Sequence, residues 1–362
     1  MYDFAVIGAG PAGTVSAALL AREGFKVLLV DRPDFSGDKV GESLPSAMNR
    51  LLWALKLEPI DPSIHYPIYG TDSYWAGDLI QQDHLASAGG LGWRINRVVF
   101  EKQLFTQAVE SGVQHCLGRL KEASLRSQTW RLQTDDGQSV KSRFVIDASG
   151  RGAVFARKRG VPRVKSRPLV ALWAVSFPQP DTQPMYGQTL IESRENGWWY
   201  AAQLPDRRWL AILHTNPEQA KIIRRRPLLW HQMLGATELI SRRVPLPDFV
   251  SSDLQAHDAR GSHLVRPYGR QWAACGDSAL SFDPISSQGI FNAMASADML
   301  FRALSSDDQD AGLQQYHQKL ENIANIYHQR RDWFYQRACR VYQTPFWTEQ
   351  SLMPCLEAAA ES

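Results

Sequence analysis

Short apolar runs alternate with small-residue and polar stretches along the first part of the chain. Tyr2 to Ile7 is apolar and partly β-branched, Thr14 to Arg22 has the Ala and Leu content of a helix, and Phe25 to Val30 is apolar again. The order predicts strand, helix, strand. Arg32 to Lys39 is a polar loop and Ser46 to Lys56 a helix, whereas Leu57 to Gly92 mixes Pro, Gly, aromatic and polar residues with only short strand-like pieces. Long irregular stretches inside compact domains are usually functional, so this one is expected to lie near a ligand. Helical spacing returns over Val98 to Gly112, with Leu104, Phe105, Ala108 and Val109 on one face. A β-meander follows at Val113 to Leu117, Glu122 to Arg126, Trp130 to Thr134 and Ser142 to Ile146, with Asp136-Gly137 as a hairpin turn.

Strand character recurs at Arg167 to Phe177, Gly187 to Ile191, Trp198 to Leu204 and Trp209 to His214, between Pro, Asp and Asn turns. These strands read as an antiparallel sheet inserted between two parts of the first domain. Gln219 to Leu234 is helical with a break at Pro227. Trp272 to Cys275 is a short buried strand, Gln288 to Leu304 a helix, and Leu313 to Tyr342 a long helical region rich in aromatic and basic residues.

Length and charge narrow the classes. The chain has 362 residues, enough for one large or two joined domains, and its 40 Lys plus Arg against 37 Asp plus Glu give a charge of +3. No bias toward nucleic acid or anionic lipid is visible, and Arg224-Arg225-Arg226 reads as a solvated helix face. The four cysteines, Cys116, Cys275, Cys339 and Cys355, are far apart and lack metal or disulfide spacing. Ile7 to Ala21 is uncharged but contains glycines and a proline and begins on the first strand, so neither a signal nor a membrane segment is expected. A cytoplasmic protein without a metal is the expectation.

Gly8-Ala9-Gly10-Pro11-Ala12-Gly13 lies between the first strand and the first helix. Gly8 permits a tight turn, Gly10 lets a pyrophosphate approach the backbone, and Gly13 lets helix and strand pack closely. Asp31, eighteen residues past Gly13, is placed for a ribose diol, with Arg32 beside it. This is a dinucleotide-binding turn, and no second one occurs.

Three further stretches follow in order: Gly41-Glu42-Ser43-Leu44-Pro45, Asp147-Ala148-Ser149-Gly150-Arg151, and Gly276-Asp277-Ser278-Ala279 running into Asp283-Pro284-Ile285-Ser286-Ser287-Gln288-Gly289-Ile290. Together with the first turn they resemble the FAD-dependent monooxygenase and tryptophan-halogenase-like superfamily over most of the chain. The resemblance implies an α/β fold of the class A flavin monooxygenase kind, with a Rossmann-type FAD-binding domain (residues 1–70, 93–165 and 260–325), an inserted antiparallel-sheet substrate domain (71–92 and 166–259) and a helical C-terminal region (326–362). It implies FAD contacts at the first turn, at Glu42, Ser43 and Asp147, at Gly276 and Asp277 for ribityl and pyrophosphate, and at Pro284, Gly289 and Ile290 beside the isoalloxazine. A helix opening at Ser286 to Ile290 would favour negative charge on reduced flavin. Arg97 occupies the position of a flavin-contacting arginine. Asp147 to Gly160 loosely resembles the Asp-Gly motif that meets reduced nicotinamide, which leaves NAD(P)H or a separate reductase open as electron donor.

Trp198, Trp199 and Tyr200 alternate across one strand, so Trp198 and Tyr200, with Ser286, are candidates to line the flavin on its substrate side. Each aromatic has the alternative of plain core. Halogenases of the superfamily use a lysine between the first turn and the tryptophan motif and a glutamate before the late helix. From Leu57 to Glu101 there is no lysine, and Ser286 takes the glutamate's place, so halogenation is not expected.

A subgroup that matures cysteine tryptophylquinone in lysine ε-oxidase and glycine oxidase is similar in length and in Gly41 to Pro45. That resemblance implies hydroxylation, using oxygen, of a tryptophan side chain in a precursor quinoprotein oxidase. A hydroxylase or reductase of a small aromatic or isoprenoid metabolite, and a flavin-bearing chaperone without turnover, stay open. For a protein substrate, Leu57 to Gly92 and Trp333, Phe334, Tyr335, Phe346 and Trp347 would form the docking surface. Alternatively these aromatics pack the last helix onto the FAD domain.

Overall fold

Strands buried on both faces and rich in Val, Leu and Ile pair in parallel. Tyr2–Ile7 accordingly lies between Val27–Asp31 and Ser139–Asp147, parallel to both. This is the centre of an eight-stranded sheet in the computed structural model, which describes residues 1–85, 90–181, 184–249, 254–352 and the backbone of 355–357. Gln114–Leu117 extends the sheet beyond Val27–Asp31, and Trp272–Ala274 beyond Ser139–Asp147. Ile7 is in register with Asp147 and Asp147 with Ala274, so the carboxyl ends of these strands meet at one edge. Helices Pro11–Arg22, Arg97–Glu110 and Gly289–Leu304 pack together beside the sheet. The described part is thus the mixed α/β fold expected, with a helical C-terminal stretch.

A second, seven-stranded sheet runs in the order Gln255–Asp258, Val170–Val175, Trp209–Thr215, Gly197–Gln203, Gln188–Arg194, Gly70–Trp75, Asp78–Asp83. Two expectations are corrected here. Leu57 to Gly92 is not irregular throughout, residues 86–89 lying outside the described ones: Tyr66–Ile68 joins a three-stranded sheet with Ser43–Leu44 and Gly92–Arg94, and Gly70 to Asp83 is a hairpin. Its strand signal is weak because Asp78–Asp83 is an edge strand of mostly exposed residues without an apolar alternation. The sheet is also not wholly antiparallel, because this hairpin, coming from far upstream, sets Gly70–Trp75 parallel to Gln188–Arg194. The break at Pro227 is as expected, between helices Pro217–Arg225 and Leu228–Gly235.

Both faces of this sheet are covered. Trp198, Tyr200 and Ala202 pack toward Tyr335, Ala338 and Trp347, while Trp199 and Ala201 pack toward Ala220, Ile223 and Trp230. Period-2 placement therefore gives strands buried throughout, which hides the alternation in the sequence. The helix Gln309–Tyr342 ends at Gln343 in the left-handed region, and Pro345–Gln350 folds back on the sheet. Phe346, Trp347 and Tyr335 are buried, and the Trp347 indole donates to the Arg194 carbonyl at 2.8 Å. Trp333 and Phe334 are exposed at 53% and 37%. Cys116, Cys275 and Cys339 are free, and burial pushes the Cys275 thiol up to about 12. No described helix is long and apolar enough to cross a membrane.

Trp347 is core rather than tail. Trp347→Ala should cost about 3–5 kcal/mol of stability in chemical denaturation, and truncation after Tyr342 should lower the melting temperature. A truncated chain that melts like the full one would contradict this packing.

Candidate active site

The meeting strand ends form a cradle. Gly8, at φ +106°, lies so close to the next strand end that a Cβ would fall 2.4 Å from the Ala148 carbonyl oxygen, and a Cβ on Gly13 would fall 1.8 Å from the Gly8 oxygen. Only glycine fits at either position. Gly10 differs, because a Cβ there would meet nothing within 4 Å. It precedes the helix Pro11–Arg22, whose first turn has no side-chain cap and no acidic residue, so free N–H groups, Ala12 and Gly13 among them, stand at an open space. The pyrophosphate of a dinucleotide fits this arrangement. Asp31 accepts the Ala9 N–H at 2.6 Å and the Arg32 N–H at 2.7 Å, which ties the turn to the end of the second strand. The Arg32 side chain turns outward to Asp135.

Asp147 and Gly276 stand at the neighbouring strand ends. Asp147 is fully buried and accepts from the Ser149 N–H and hydroxyl and the Ala156 N–H, so it shapes its own loop. Gly276, at φ +61°, packs on Ala12 and donates its N–H to Ser296 Oγ at 2.7 Å. Asp277 is partly exposed, 3.5 Å from Arg151 Nε; burial raises its carboxyl above the usual range against the opposing pull of Arg151, Arg163 and Arg97. Arg97 holds Glu101 and the carbonyls of Val40 and Gly41.

Gly41 to Pro45 is held by a network the sequence did not reveal. Arg94 is buried, donates to Glu42 Oε1 at 3.2 Å and Thr189 Oγ1 at 2.9 Å, and also reaches Ser43 Oγ and Tyr200 OH. The Tyr200 hydroxyl donates to Glu42, and burial pushes the phenol well above its ordinary pKa. Tyr200 thus links the second sheet to the Glu42 segment.

The late motif is held by a second network. Asp283 accepts from Ile285 N–H at 3.0 Å, opening the turn Pro284–Ser286, and pairs with Arg331 of the long helix at 2.8 Å. Tyr335 donates to the same carboxylate at 2.8 Å and accepts from Trp198 Nε1 at 2.9 Å. Burial alone would raise Asp283, but Arg331 and these hydrogen bonds hold it below the usual carboxylate range. Trp198 stacks on His214 at 3.6 Å. His214 is buried, its Nδ1 has no hydrogen-bond partner, and burial depresses its pKa to about 3.

Between the networks lies a cavity of about 540 Å³. Its walls come from Ser43 to Ser46, from the sheet residues Thr71, Ser73, Thr189 and Ile191, from Ile285 to Gln288, and from Trp333 and Phe334. Ser286 therefore lines the cavity, next to the start of the helix Gly289–Leu304 where Gly289 faces open space and Ile290 is buried. Trp198 and Tyr200 are not among its lining residues: Trp198 is tied to Tyr335 of the long C-terminal helix, and Tyr200 to Glu42 and to Ser43 behind the cavity wall. No Asp, Glu, Lys or Arg is among the described lining residues. Arg94, Arg331 and the cavity were missed because their partners lie 52, 48 and more residues away in sequence.

A methyl at Gly10 meets no protein atom, so Gly10→Ala should melt like the wild-type apoprotein yet bind FAD about tenfold more weakly in a fluorescence titration. Unchanged FAD affinity would move the pyrophosphate elsewhere. His214 stays neutral in the fold, whereas the unfolded chain takes up its proton near pH 6.5. Its contribution is full above pH 6.5 and is lost as pH falls toward 3, with a limiting slope of about 1.4 kcal/mol per pH unit. His214→Phe should flatten the fall in denaturation free energy between pH 6.5 and about 4.5, where Asp283 is still ionised.

Residues 3–166 match the family model "Lycopene cyclase protein". The chain is 33% identical over 371 residues, covering 99% of both proteins, to LodB of Marinomonas mediterranea, which is assigned as an FAD-dependent oxidoreductase. The myxobacterial chondrochloren halogenase CndH, a variant FAD-dependent halogenase, has a similar fold, with TM-score 0.82 and 20% identity over 97% of this chain and 86% of that one. The peptidyl tryptophan dihydroxylase QhpG, essential for tryptophylquinone cofactor biogenesis, has TM-score 0.76 and 22% identity over 96% of this chain and 78% of its own. With the glycine turn, the uncapped helix and the full-length match to LodB in agreement, the chain belongs to the LodB family of FAD-dependent oxidoreductases.

Proposed function

We propose that this oxidoreductase is a monooxygenase that hydroxylates the indole ring of a tryptophan within a polypeptide, a precursor of a quinoprotein amine or amino-acid oxidase, during formation of cysteine tryptophylquinone. The observation that carries the reading is the neutral cavity against the Ile285 to Gln288 turn. A free amino acid brings an ammonium and a carboxylate, and burying either without a counter-charge is costly. A tryptophan in a chain brings only an indole. The fold shared with QhpG, which acts on peptidyl tryptophan, and the family shared with LodB support the same assignment.

Bound FAD would be held by Gly8 to Gly13, Asp31 and the Gly276-Asp277 turn, and would supply the two electrons that let dioxygen give one oxygen atom to the ring and release the other as water. NAD(P)H or a separate reductase is the electron source in this reading. The chain's own residues do the rest. The Arg94 network fixes Ser43 to Pro45 as one wall, Asp283 and Arg331 fix the opposite turn, and the apolar side chains Ile191, Ile285 and Phe334 limit water around the ring. His84, the one titratable side chain among the described lining residues, is available to take up the ring proton. We assign the seven-stranded sheet with residues 71–92 as the substrate domain. Halogenation is disfavoured because Ser286 stands where the halogenase glutamate would and no lysine is among the described residues lining the cavity.

The test is peptide mass spectrometry of a quinoprotein oxidase precursor co-expressed with this protein, FAD and a reductant being supplied. Gain of oxygen on a precursor tryptophan, only when this protein is present, is expected. An unmodified precursor with FAD bound would shift the assignment to a small-molecule substrate.

A further inference from the structure

The hairpin that builds one cavity wall also leaves a sheet edge open. Ala76 and Gly77 both have left-handed φ, 53° and 86°, a two-residue turn that makes Trp75 and Asp78 a hydrogen-bonded pair. Alternation then makes Ser73 with Ile80, and Thr71 with Gln82, the next bonded pairs. The N–H and C=O groups of Leu79 and Gln81 consequently point away from the sheet. No described strand pairs with Asp78–Asp83 on that side, and the strand is mostly exposed.

Protected edges usually carry a lysine, a proline or a bulge. Here Leu79-Ile80-Gln81-Gln82 carries no charge, Leu79 is 56% exposed, and no register shift interrupts the hairpin. Asp78, at the turn end, is paired with Arg337. The same strand sends Ile80, Gln82 and His84 into the cavity wall. Open backbone and cavity are therefore two sides of one strand.

We propose that the edge of Asp78–Asp83 docks its substrate as an extended polypeptide, which pairs with the outward groups of Leu79 and Gln81 and turns one alternate side chain into the cavity. This rests on the peptide-borne substrate argued above and adds how it is recognised. The charges match this occupant: no Asp, Glu, Lys or Arg among the described wall residues offers a counter-charge to a free ammonium or carboxylate, and an internal residue replaces both by peptide groups that a strand edge satisfies. Trp333 and Phe334, exposed beside the turn end of the hairpin, provide an apolar lip for the inserted ring. Backbone pairing supplies affinity without sequence preference, and the cavity supplies choice of side chain.

The test compares Gln81→Ala with Gln81→Pro in the FAD-loaded protein. Both lose the side-chain contact to Asp72, but only the second loses the outward N–H, and proline is tolerated on edge strands. The probe is a fluorescein-labelled, end-blocked Thr-Val-Trp-Val-Thr peptide read by anisotropy. Gln81→Ala should bind it like wild type and Gln81→Pro about tenfold more weakly or worse, with FAD content and melting temperature unchanged. Should Gln81→Pro fold poorly, N-methylated peptides decide: methylation at one alternate set of amides abolishes binding and at the other set leaves it. Equal binding by both variants with no effect of methylation, or no binding to wild type, overturns the proposal. So does a dimer of wild type that Gln81→Pro dissolves, which would give the edge to a second copy of this chain. Peptide binding with the alternation but no precursor hydroxylation would overturn only the function; hydroxylation undiminished by Gln81→Pro would overturn only the docking mode.

Discussion

The structure depends on a carboxylate and a guanidinium that meet out of contact with water. Asp283 and Arg331, 1% and 5% exposed, would be costly to bury singly. Together they are compensated atom by atom: Asp283 takes the Ile285 N–H, Arg331 Nε and Tyr335 OH, and Arg331 also donates to the Gln350 carbonyl and side chain. Such a pair adds little net stability over apolar packing, but it fixes geometry, because losing either partner strands the other's charge. What it fixes is the turn before the helix Gly289–Leu304. The long C-terminal helix, remote in sequence, thereby sets one wall of the cavity.

The second buried pair, Glu42 with Arg94, does the same for the opposite wall. Both side chains are 2% exposed, and Tyr200, Ser43 and Thr189 fill the remaining donor and acceptor positions. Tyr200 and Trp198 lie two apart on one strand and serve different networks, one toward Glu42 and the other through Tyr335 toward Asp283. That strand, Gly197–Gln203, is the rigid element between the two walls. Its aromatic content is explained by this bridging role and by packing of the last helix.

The glycine turn at the strand ends was legible in the sequence because its geometry is local. A tight turn, a close approach and a helix start are specified by residues within a few positions, and Gly8, Gly10 and Gly13 declare them. The resemblance placed Glu42, Asp147, Gly276 and Pro284 in order, and the structure gathers Asp147 and Gly276 with the first turn at the strand ends while Glu42 and Pro284 flank the cavity. What stayed hidden was relational. Arg94 and Arg331 look like ordinary helix or loop arginines until their partners are brought to them. The Gly70 to Asp83 hairpin was read as irregular since an exposed edge strand needs no apolar alternation, and its parallel pairing with Gln188–Arg194 leaves no local trace. Trp198 and Tyr200 were placed on one face correctly, but which layer covers that face is decided by the C-terminal helix.

These features also explain how a site with few polar surfaces can still select its substrate. Glu42 with Arg94 and Asp283 with Arg331 are paired beside the cavity, and no Asp, Glu, Lys or Arg is among its described lining residues to pair with a charged ligand. A pocket of this kind discriminates only modestly between apolar groups of similar size, by about 1–3 kcal/mol per methylene. It rejects charge far more strongly, because the ion would be desolvated without compensation. Selection among neutral aromatic groups must then come from contacts outside the cavity, where the reacting group is attached to the rest of its molecule. For the proposed peptide-borne indole the attachment would be a peptide backbone, and the adjoining surface that offers backbone donors and acceptors is the edge of the hairpin. In the proposed mode of recognition, neutral walls and an open edge are complementary halves, the first disfavouring free amino acids and the second pairing with the chain that would carry the ring.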